Sequence, residues 1–450
     1  MITRRGVAKA NADSQSPSPA VGRALRCGAD GVEVWSEGAV QHWPLAAAPF
    51  SASSSPLLPS GAEPLSAIEP GDLVQRTAAG VRILLRPTAG ADAIFDRDGD
   101  LGRLLADGGL RHQALVERAL LLRQVRAFFD RRGFLEVETP AIATSPGLEL
   151  HLDPVAVTLR QGMAGDRVHR HLVTSPEYHC KRLLHGGLTR IYSLAKAFRS
   201  GERGHWHNPE FTMLEWYRAG AEADAILRDL RGLCRAAAGA MHRHRHAGRG
   251  AGGGAVGRDV WTPGRPLRLS FFAALERFGG LRAADDQGRT LPLGALREAM
   301  ARMGVEVRPD DDEGSLLLQA FAERVEPALA GHGTVEITPW PASLASLARP
   351  LPEAPWLADR FEVYLQGVEI ANGFGELVDA AEQRRRFEVD LRARAAKGLP
   401  QPPIDQRFLQ ALERGCPPSA GVALGVDRLL MVLGGYDDIE QVLAFPFERA

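Results

Sequence analysis

The sequence predicts an α+β protein whose core is a large antiparallel sheet flanked by helices. Three observations predict this fold class. Residues 110–134 place apolar side chains at a helical spacing, at positions 115, 119, 122, 125, 128 and 129. Residues 170–230 alternate between strand-like and helix-like stretches. From residue 334 onward three strand-like stretches follow one another, and the last runs directly into a helix.

The first 108 residues are predicted to be separate from this core. Residues 1–20 are predicted to be disordered, and residues 21–108 to form a small β-rich module of unknown fold. Within the module, "GVEVWSEGAVQHWPL" (31–45) alternates around a central turn as a hairpin does. After a Ser/Pro-rich break, "GDLVQRTAAGVRILLRP" predicts two more short strands.

The remaining residues, 109–450, are predicted to form one domain. Its first helix ends near Gly133 and leads into a strand in "GFLEVETP" that Pro140 terminates. Residues 265–330 are predicted to be helical. The Gly-rich stretch "RHRHAGRGAGGGAVGR" (243–258) predicts a linker, and we interpret its alternating His and Arg residues as a solvated loop rather than a metal site.

Composition narrows the function classes. The chain has 450 residues and a net charge of −1, from 54 basic and 55 acidic residues, so it lacks the basic excess of proteins that bind mainly nucleic-acid backbone. No apolar run approaches the roughly 18 residues needed to span a bilayer, and no membrane partner is expected. The N-terminus lacks the apolar core of a secretory signal. Four scattered cysteines predict a cytoplasmic protein without a disulfide framework.

Three separated stretches carry the chemistry. The first is "GFLEVETP", a helix feeding a strand that stops at Pro140. The second is "FRSGERGHWHNPEFTMLEWY" (198–217), where Arg199 borders a Gly-containing loop that suggests an anion site. The third is "GVALGVDR", a Gly-rich strand running into a helix that begins with Arg428. In this order, on an antiparallel sheet, they resemble motifs 1, 2 and 3 of the class II aminoacyl-tRNA synthetases, and the resemblance implies the catalytic fold of that family.

The chemistry of that family is consistent with these residues. Activating a carboxylate with ATP brings two anions together, so the site needs fixed positive charge. Arg199 can fork across a carboxylate and the α-phosphate, and Arg428 can hold the far end of the triphosphate. Phe211 can offer its face to the adenine ring. Gly421 and Gly425 would let the nucleotide lie flat against a strand that lacks side chains there.

Three acids in "RFEVYLQGVEIANGFGE" predict a metal site. Glu362, Glu369 and Glu376 fall seven residues apart. If 366–367 is a two-residue hairpin turn, positions 364 and 369 face each other, and Glu362 and Glu369 share one face. Two such carboxylates repel unless a cation lies between them, and Mg²⁺ bridging ATP phosphates is the natural candidate. Glu376 is expected on the opposite face unless 372–373 forms a bulge. The alternative interpretation is a solvated strand face.

Four stretches narrow the resemblance to one group within the class II synthetases. "TSPEYHCKRLL", "HNPEFTMLEWYRAG", "RFEVYLQGVEIANGFGEL" and "SAGVALGVDRLL" closely resemble lysyl-tRNA synthetases, and still more closely the truncated lysyl-tRNA synthetase-like ligases that modify elongation factor P. The similarity runs from about residue 110 to the C-terminus. It implies activation of (R)-β-lysine or lysine by ATP with Mg²⁺, and transfer from the acyl-adenylate to a lysine side chain of elongation factor P. It also implies a homodimer built on motif 1.

The resemblance also implies roles for individual residues. Arg199 and Arg428 would be the catalytic groups. The residues implied to bind ATP are Arg199, Ser200, Gly201, Glu202, Phe211, Glu369, Ile370, Gly425 and Arg428. The residues implied to bind the amino acid are Ser175, Pro176, Glu177, Asn208, Tyr217, Asn372, Glu376 and Ala423, with Glu376 facing a substrate ammonium. Glu362 and Glu369 would hold magnesium.

Two positions depart from the synthetase pattern. Lysyl-tRNA synthetases read Arg-Asn-Glu at motif 2, whereas this chain reads Arg199-Ser200-Gly201 with the acid one place later, at Glu202. Either Glu202 replaces the adenine-contacting Glu, or adenine is read by the backbone alone. Ala423 stands where synthetases usually have Gly. We hypothesise that its methyl group favours a β-amino acid over α-lysine.

Two alternative functions follow from the same residues. A lysyl-tRNA synthetase would carry a complete anticodon-binding OB-fold before motif 1, but the β-like segment here is short and interrupted, so tRNA is not expected as a partner. A non-catalytic amino-acid-binding regulator would have lost phosphate or metal residues, whereas Arg199, Glu362, Glu369 and Arg428 are all present. The sequence identifies no general base for the incoming amine.

Overall fold

The computed structural model describes residues 21–27, 31–36, 39–44, 73–77, 80–85, 103–104, 109–150, 152–162, 165–247 and 263–450. The chain divides into two compact units, residues 1–113 and 114–450. The disorder predicted for residues 1–20 lies outside the described residues. Among the described residues, no helix is both long enough and apolar enough to cross a bilayer.

The N-terminal unit contains one antiparallel sheet. Its described strands are β1 (Val21–Cys27), β2 (Gly31–Ser36), β3 (Ala39–Pro44), β4 (Leu73–Thr77) and β5 (Gly80–Leu85). They lie in the order β3-β2-β1-β4-β5. The hairpin predicted within 31–45 is confirmed as β2–β3, and the two later strands pair as β4–β5. The central strand β1, which pairs with both β2 and β4, was not predicted.

The second unit contains fourteen strands among its described residues. They are β6 (Leu135–Glu136), β7 (Ile142–Ala143), β8 (Ala156–Gln161), β9 (Asp166–Leu172), β10 (Arg190–Phe198), β11 (Glu210–Ala219), β12 (Leu267–Leu269), β13 (Thr334–Ile337), β14 (Trp340–Pro341), β15 (Pro350–Leu351), β16 (Ala354–Ala358), β17 (Arg360–Leu365), β18 (Val368–Gly375) and β19 (Ser419–Gly425). The strand predicted in "GFLEVETP" shortens to the two residues of β6.

Eleven helices accompany these strands in the described part of the chain. They are α1 (Leu110–Asp130), α2 (Glu177–His185), α3 (Ala223–Ala247), α4 (Phe271–Gly279), α5 (Leu293–Arg302), α6 (Glu313–Ala320), α7 (Glu326–Leu329), α8 (Ala380–Ala396), α9 (Gln406–Glu413), α10 (Val426–Gly434) and α11 (Ile439–Val442). A π-helical turn (Phe321–Val325) joins α6 to α7, and 3₁₀ turns occur at Ala330–His332, Ala342–Leu344 and Phe447–Arg449.

The large sheet confirms the predicted α+β fold class. Its eight strands lie in the order β12-β13-β17-β18-β19-β11-β10-β6. The pairs from β13 to β10 are antiparallel, and only the outermost pairs, β12–β13 and β10–β6, are parallel. Two small three-stranded sheets, β7-β9-β8 and β14-β16-β15, are separate from it. The four strands β17, β18, β19 and β11 are therefore neighbours at the centre of the sheet.

The β17–β18 hairpin has the predicted turn. Gln366 and Gly367 both have positive φ, at 51° and 81°, as the tight two-residue hairpin turn requires. A side chain at position 367 would meet the Ala330 backbone at 2.8 Å, so glycine is needed there. The turn pairs Tyr364 with Glu369, as predicted, but the register then shifts and Glu362 pairs with Asn372. The resulting bulge lies at 370, before the predicted 372–373 position.

Helix α1 buries a face that includes an acid. The buried apolar residues are Ala114, Leu121, Val125, Phe128 and Phe129, and Glu117 is fully buried among them. Both oxygens of Glu117 accept hydrogen bonds from Arg245, at 2.6 and 2.8 Å, and one also accepts from the Tyr436 hydroxyl at 2.8 Å. The linker predicted over 243–258 is therefore wrong for residues 243–247, because Arg245 anchors the last turn of α3. Residues 248–258 lie outside the described residues.

This buried network predicts a large stability effect. Replacing Glu117 with Ala leaves the Arg245 guanidinium without its bidentate carboxylate, and breaking a buried ion pair in this way costs about 3–5 kcal/mol. The urea midpoint of the second unit is expected to fall accordingly. The matched control is Asp286→Ala, which removes an exposed ion pair with Arg282 and should leave the midpoint unchanged. Equal midpoints for the two variants would contradict the prediction.

Candidate active site

One cavity collects most of the predicted site residues. It has a volume of about 310 Å³ and lies against β11, β17, β18 and β19, the β10–β11 loop and the start of α10. The predicted residues that line it are Ser175, Glu177, Arg199, Glu202, Asn208, Phe211, Glu362, Glu369, Ile370, Asn372, Ala423, Gly425 and Arg428. Residues more than 200 positions apart in the sequence thus share one site.

Five predicted residues do not line this cavity: Pro176, Ser200, Gly201, Tyr217 and Glu376. Pro176 precedes α2, and Ser200 and Gly201 lie exposed on the β10–β11 loop. Tyr217 and Glu376 are buried behind the lining, where Tyr217 donates to Glu215 and Glu376 lies 2.6 Å from Lys181.

At one end of the cavity, Arg199 follows β10. Its guanidinium carbon lies 5.1 Å from the centroid of the Phe211 ring, and one of its nitrogens lies 3.5 Å from a Glu202 oxygen. The buried Nε of Arg199 has no hydrogen-bond partner among the described residues. Glu202 thus lies beside Arg199 within the cavity, although it is displaced by one residue from the synthetase pattern. An anion bound at this end of the cavity would accept the hydrogen bond that the Nε of Arg199 lacks.

At the other end, Arg428 lies in the first turn of α10, the helix that follows β19. Its Nη1 donates to the Glu369 carbonyl at 3.0 Å and lies 3.4 Å from the Glu369 carboxylate. Its Nε donates to the Trp206 carbonyl at 3.3 Å, and its Nη2 lies 2.5 Å from Nε2 of His207. Burial and the Arg428 charge lower the pKa of His207, so the neutral imidazole accepts this contact. Arg428 therefore connects the β10–β11 loop to α10.

Glu362 and Glu369 lie on the same face, as predicted, because both line the cavity. Glu362 accepts hydrogen bonds from Arg360 at 2.6 Å and from the Tyr364 hydroxyl at 2.5 Å. Burial raises the pKa of Glu362 to about 7; Arg360 opposes this shift and the nearby Glu369 charge adds to it. A divalent cation would relieve this repulsion.

The donor set suits magnesium in part. No group of three or more metal-ligating side chains occurs among the described residues, so the protein offers Mg²⁺ two carboxylates at most here. Mg²⁺ is usually held in proteins by one or two carboxylates together with water and substrate phosphates. Glu362 and Glu369 fit that pattern.

An acid that the sequence analysis missed lies buried behind the Ser175 lining of the cavity. Glu215, fully buried on β11, accepts hydrogen bonds from the Ser175 hydroxyl at 2.6 Å and from the Tyr217 hydroxyl at 2.7 Å. Burial raises the pKa of Glu215 to about 8, and the Glu177 charge adds to the shift. Phe211, Glu215 and Tyr217 alternate with period two on one strand, so this spacing could have placed Glu215 on the site face.

A buried ion triad lies beside Glu215. The Lys181 ammonium is 2.6 Å from Glu177 and 2.6 Å from Glu376, and the Lys181 and Glu376 side chains are each only 2% exposed. Burial opposes the charge on Lys181, but the two carboxylates raise its pKa above the ordinary value. Burial also raises the pKa of Glu376 to about 7 despite Lys181. The bulge at 370 places Glu376 on the face of Glu362, so the expected opposite placement is wrong.

Ala423 occupies the floor between two polar residues. On β19 it pairs with Glu215 of β11 and with Asn372 of β18. The buried Asn372 Oδ1 has no hydrogen-bond partner among the described residues. The Ala423 methyl group therefore adds bulk between a buried carboxylate and an unsatisfied amide oxygen.

Asn208 and the two glycines of β19 have structural contacts of their own. Asn208 lines the cavity, and its amide also donates to the Glu210 carbonyl at 2.6 Å and accepts from the Phe447 N–H at 3.1 Å. A Cβ on Gly421 would come within 2.2 Å of the Tyr217 ring, so this glycine makes room for Tyr217 and not for a nucleotide. Gly425 does line the cavity, as expected.

Comparison with known proteins identifies the protein family to which the chain belongs. The family model for class II tRNA synthetases (D, K and N) matches residues 110–449, and the chain belongs to that family. Three similar relatives are each named elongation factor P–(R)-beta-lysine ligase. The Vibrio cholerae protein is 39% identical over 342 residues, 75% of this chain and 96% of the relative. Those of Edwardsiella ictaluri and Proteus mirabilis are each 40% identical, over 75% of this chain and 95% of the relative. The chain therefore belongs to the elongation factor P–(R)-beta-lysine ligase family.

Proposed function

We propose that the protein activates (R)-β-lysine, or lysine, with ATP and transfers the acyl group to a lysine side chain of elongation factor P. One observation carries this proposal: two arginines and two carboxylates suited to a metal line one cavity, and the acidic pocket of Glu177, Glu215 and Glu376 begins at the Ser175 and Glu177 side of that cavity. Residues 109–450 would form the catalytic domain, consistent with the family match over 110–449. The names of the relatives support elongation factor P as the acceptor.

The arginines would serve the activation step. The substrate carboxylate attacks the α-phosphate of ATP, and pyrophosphate leaves. Arg199, with its unsatisfied Nε, would hold the reacting carboxylate and phosphate, and Arg428 would hold the far phosphates. Phe211 would stack on adenine, and Glu202 or the loop backbone would read its edge. Mg²⁺ held by Glu362 and Glu369 would neutralise phosphate charge.

The acidic pocket would select a diamino acid. Glu215 has hydroxyl donors but no salt-bridge partner within 4 Å among the described residues, and Glu177 and Glu376 share the single charge of Lys181. The pocket therefore gains negative charge when Glu215 loses its proton, and a substrate with two ammonium groups would neutralise that charge. Ser175 would orient Glu215.

The direct test uses the purified full-length chain. ATP–pyrophosphate exchange is measured with (R)-β-lysine, α-lysine and norleucine, and acyl transfer is measured to elongation factor P and to lysine tRNA. We expect exchange with the lysines but not with norleucine, and transfer to elongation factor P alone. Efficient charging of tRNA would favour the lysyl-tRNA synthetase alternative, and absence of AMP formation would favour a non-catalytic regulator.

Ala423 provides a prediction about the lysine isomer. The Ala423→Gly variant removes the methyl group between Glu215 and Asn372, which should make room for an α-amino group. Loss of one methylene-sized contact changes discrimination by roughly 10–200-fold. In pyrophosphate exchange, the preference of the variant for (R)-β-lysine over α-lysine should therefore decrease by a factor in that range. An unchanged ratio of kcat/KM for the two isomers would rule out Ala423 as the discriminating residue.

We also propose a homodimer in the cytoplasm. Leu135, in the edge strand β6, is 53% exposed and lies in the strand ending at Pro140 that the resemblance assigns, with the helix around 115–129, to the subunit interface. Cys180, Cys234 and Cys416 are free thiols, which suits a reducing compartment. Sedimentation of the full chain at micromolar concentration would test the dimer.

A further inference from the structure

A short segment that we call the strap lines the cavity with Glu149 and Leu152 and is hydrogen-bonded to Ser200, next to Arg199. It consists of residues 147–150 with 152 and 153, and a buried arginine of α8 holds it. Arg394, only 1% exposed, donates to the carbonyls of Glu149, Leu150 and Leu152 at 3.0, 3.1 and 2.8 Å. It also contacts the Asp153 carboxylate at 3.1 Å.

The strap is tied to its surroundings at both ends. The N–H of Leu148 donates to the Tyr178 hydroxyl at 2.8 Å. The carbonyl of Asp153 accepts from the N–H of Ser200 at 2.7 Å, next to Arg199. The backbone of the strap is therefore fixed relative to the arginine proposed to hold the reacting groups.

The strap presents one carboxylate to the cavity, that of Glu149. Six acidic residues line the cavity, and five have a cationic partner within 4 Å: Glu177 with Lys181, Glu202 with Arg199, Glu362 with Arg360, Glu369 with Arg428 and Asp427 with Arg118. Glu149 is the exception, since its carboxylate has neither a hydrogen bond nor an ion pair to any described residue.

We propose that Glu149 is the general base that accepts the proton of the attacking amine in the acyl-transfer step. This inference rests on the proposed function and extends it, because the sequence identified no such base. The neutral lysine amine of the acceptor attacks the acyl carbonyl carbon, a C–N bond forms, and the C–O bond to phosphate breaks. AMP leaves with that electron pair, and the proton released from the nitrogen passes to the Glu149 carboxylate.

The surroundings of Glu149 suit this role. Burial raises its pKa to about 7, and the Glu177 and Asp390 charges add to the shift. The Arg199 and Arg360 charges oppose it. A base is most effective when its pKa lies near the working pH, because it is then both available and strong enough.

The test separates the two steps in the full-length protein. In Glu149→Gln, single-turnover transfer from preformed adenylate to elongation factor P should slow by about 10²–10⁴-fold, a far larger loss than any in pyrophosphate exchange with (R)-β-lysine. Transfer to hydroxylamine should slow less, because its weakly basic nitrogen gives an adduct whose proton is acidic enough to pass to water. Glu149→Asp should recover part of the rate, and the rise in transfer rate near pH 7 should disappear in Glu149→Gln.

The control is Glu388→Gln, an exposed acid on α8 outside the cavity, which should leave both steps unchanged. An unchanged transfer rate in Glu149→Gln would refute the assignment. A raised KM for (R)-β-lysine in pyrophosphate exchange would instead make Glu149 a substrate ligand and also overturn it. If the unmodified protein failed to exchange pyrophosphate, the proposed function itself would fail, which is a separate outcome.

Discussion

Replacing Arg199 with Met is expected to slow ATP–pyrophosphate exchange by about 10²–10³-fold, the usual cost of removing one preorganised donor to developing charge. Methionine keeps the length and the apolar contact with Phe211 but removes the guanidinium whose Nε is unsatisfied in the cavity. The loss should appear mainly in kcat, because the charge it stabilises grows in the transition state. Steady-state exchange kinetics at saturating lysine measure it.

The matched control is Arg203→Met. Arg203 lies on the same loop and is 56% exposed outside the cavity, where it contacts Glu448. This variant should retain exchange activity. If both variants lost activity equally, the effect would belong to loop packing and not to the Arg199 charge.

Replacing Glu215 with Gln is expected to raise KM for the lysine substrate by roughly 10²–10³-fold, since truncating one member of a buried charge pair costs about 2–5 kcal/mol. Glutamine keeps the shape and an acceptor for Ser175 or Tyr217 but cannot neutralise an ammonium group. KM for ATP should be little affected. The measurement is pyrophosphate exchange with each substrate varied in turn.

The raised pKa of Glu215 gives this effect a pH signature. With a pKa of about 8 in the empty pocket, Glu215 holds a proton below that pH, and an ammonium ligand binds only the carboxylate form. Affinity for lysine should therefore rise about tenfold per pH unit up to about pH 8 and then level off. In Glu215→Gln this rise should vanish. Glu210→Gln, on the same strand but 51% exposed, should keep it, and its loss there would contradict the assignment.

The β17–β18 hairpin illustrates how far sequence reasoning reaches. The Gln366–Gly367 turn was predictable because local turn chemistry sets the pairing of Tyr364 with Glu369. The position of the bulge, at residue 370, was not predictable from the sequence. It depends on the pairing of Glu362 with Asn372, which is set in the assembled sheet. That shift moves Glu376 to the site face, which no local pattern in "IANGFGE" encodes.

The acidic pocket and the strap show a second limit of prediction from sequence. Glu215 could have been found from the alternation of its strand, but Lys181 and Glu149 could not. Lys181 reads as an ordinary helical lysine in "HCKRLL", and only tertiary packing brings it between Glu177 and Glu376. Glu149 lies in irregular backbone, and its position depends on Arg394, which is 245 residues away in the sequence.

The pairing of β11 with β19 has a consequence for folding. It places Glu215 against Ala423, about 200 residues later in the chain, at the centre of the site. Closing so long a loop is slow, since its entropy is lost before the contacts form. The pocket is therefore completed only after long-range strand pairing. Nucleotide and amino acid can stabilise the finished domain by mass action, but they have no partly formed site to bind during folding.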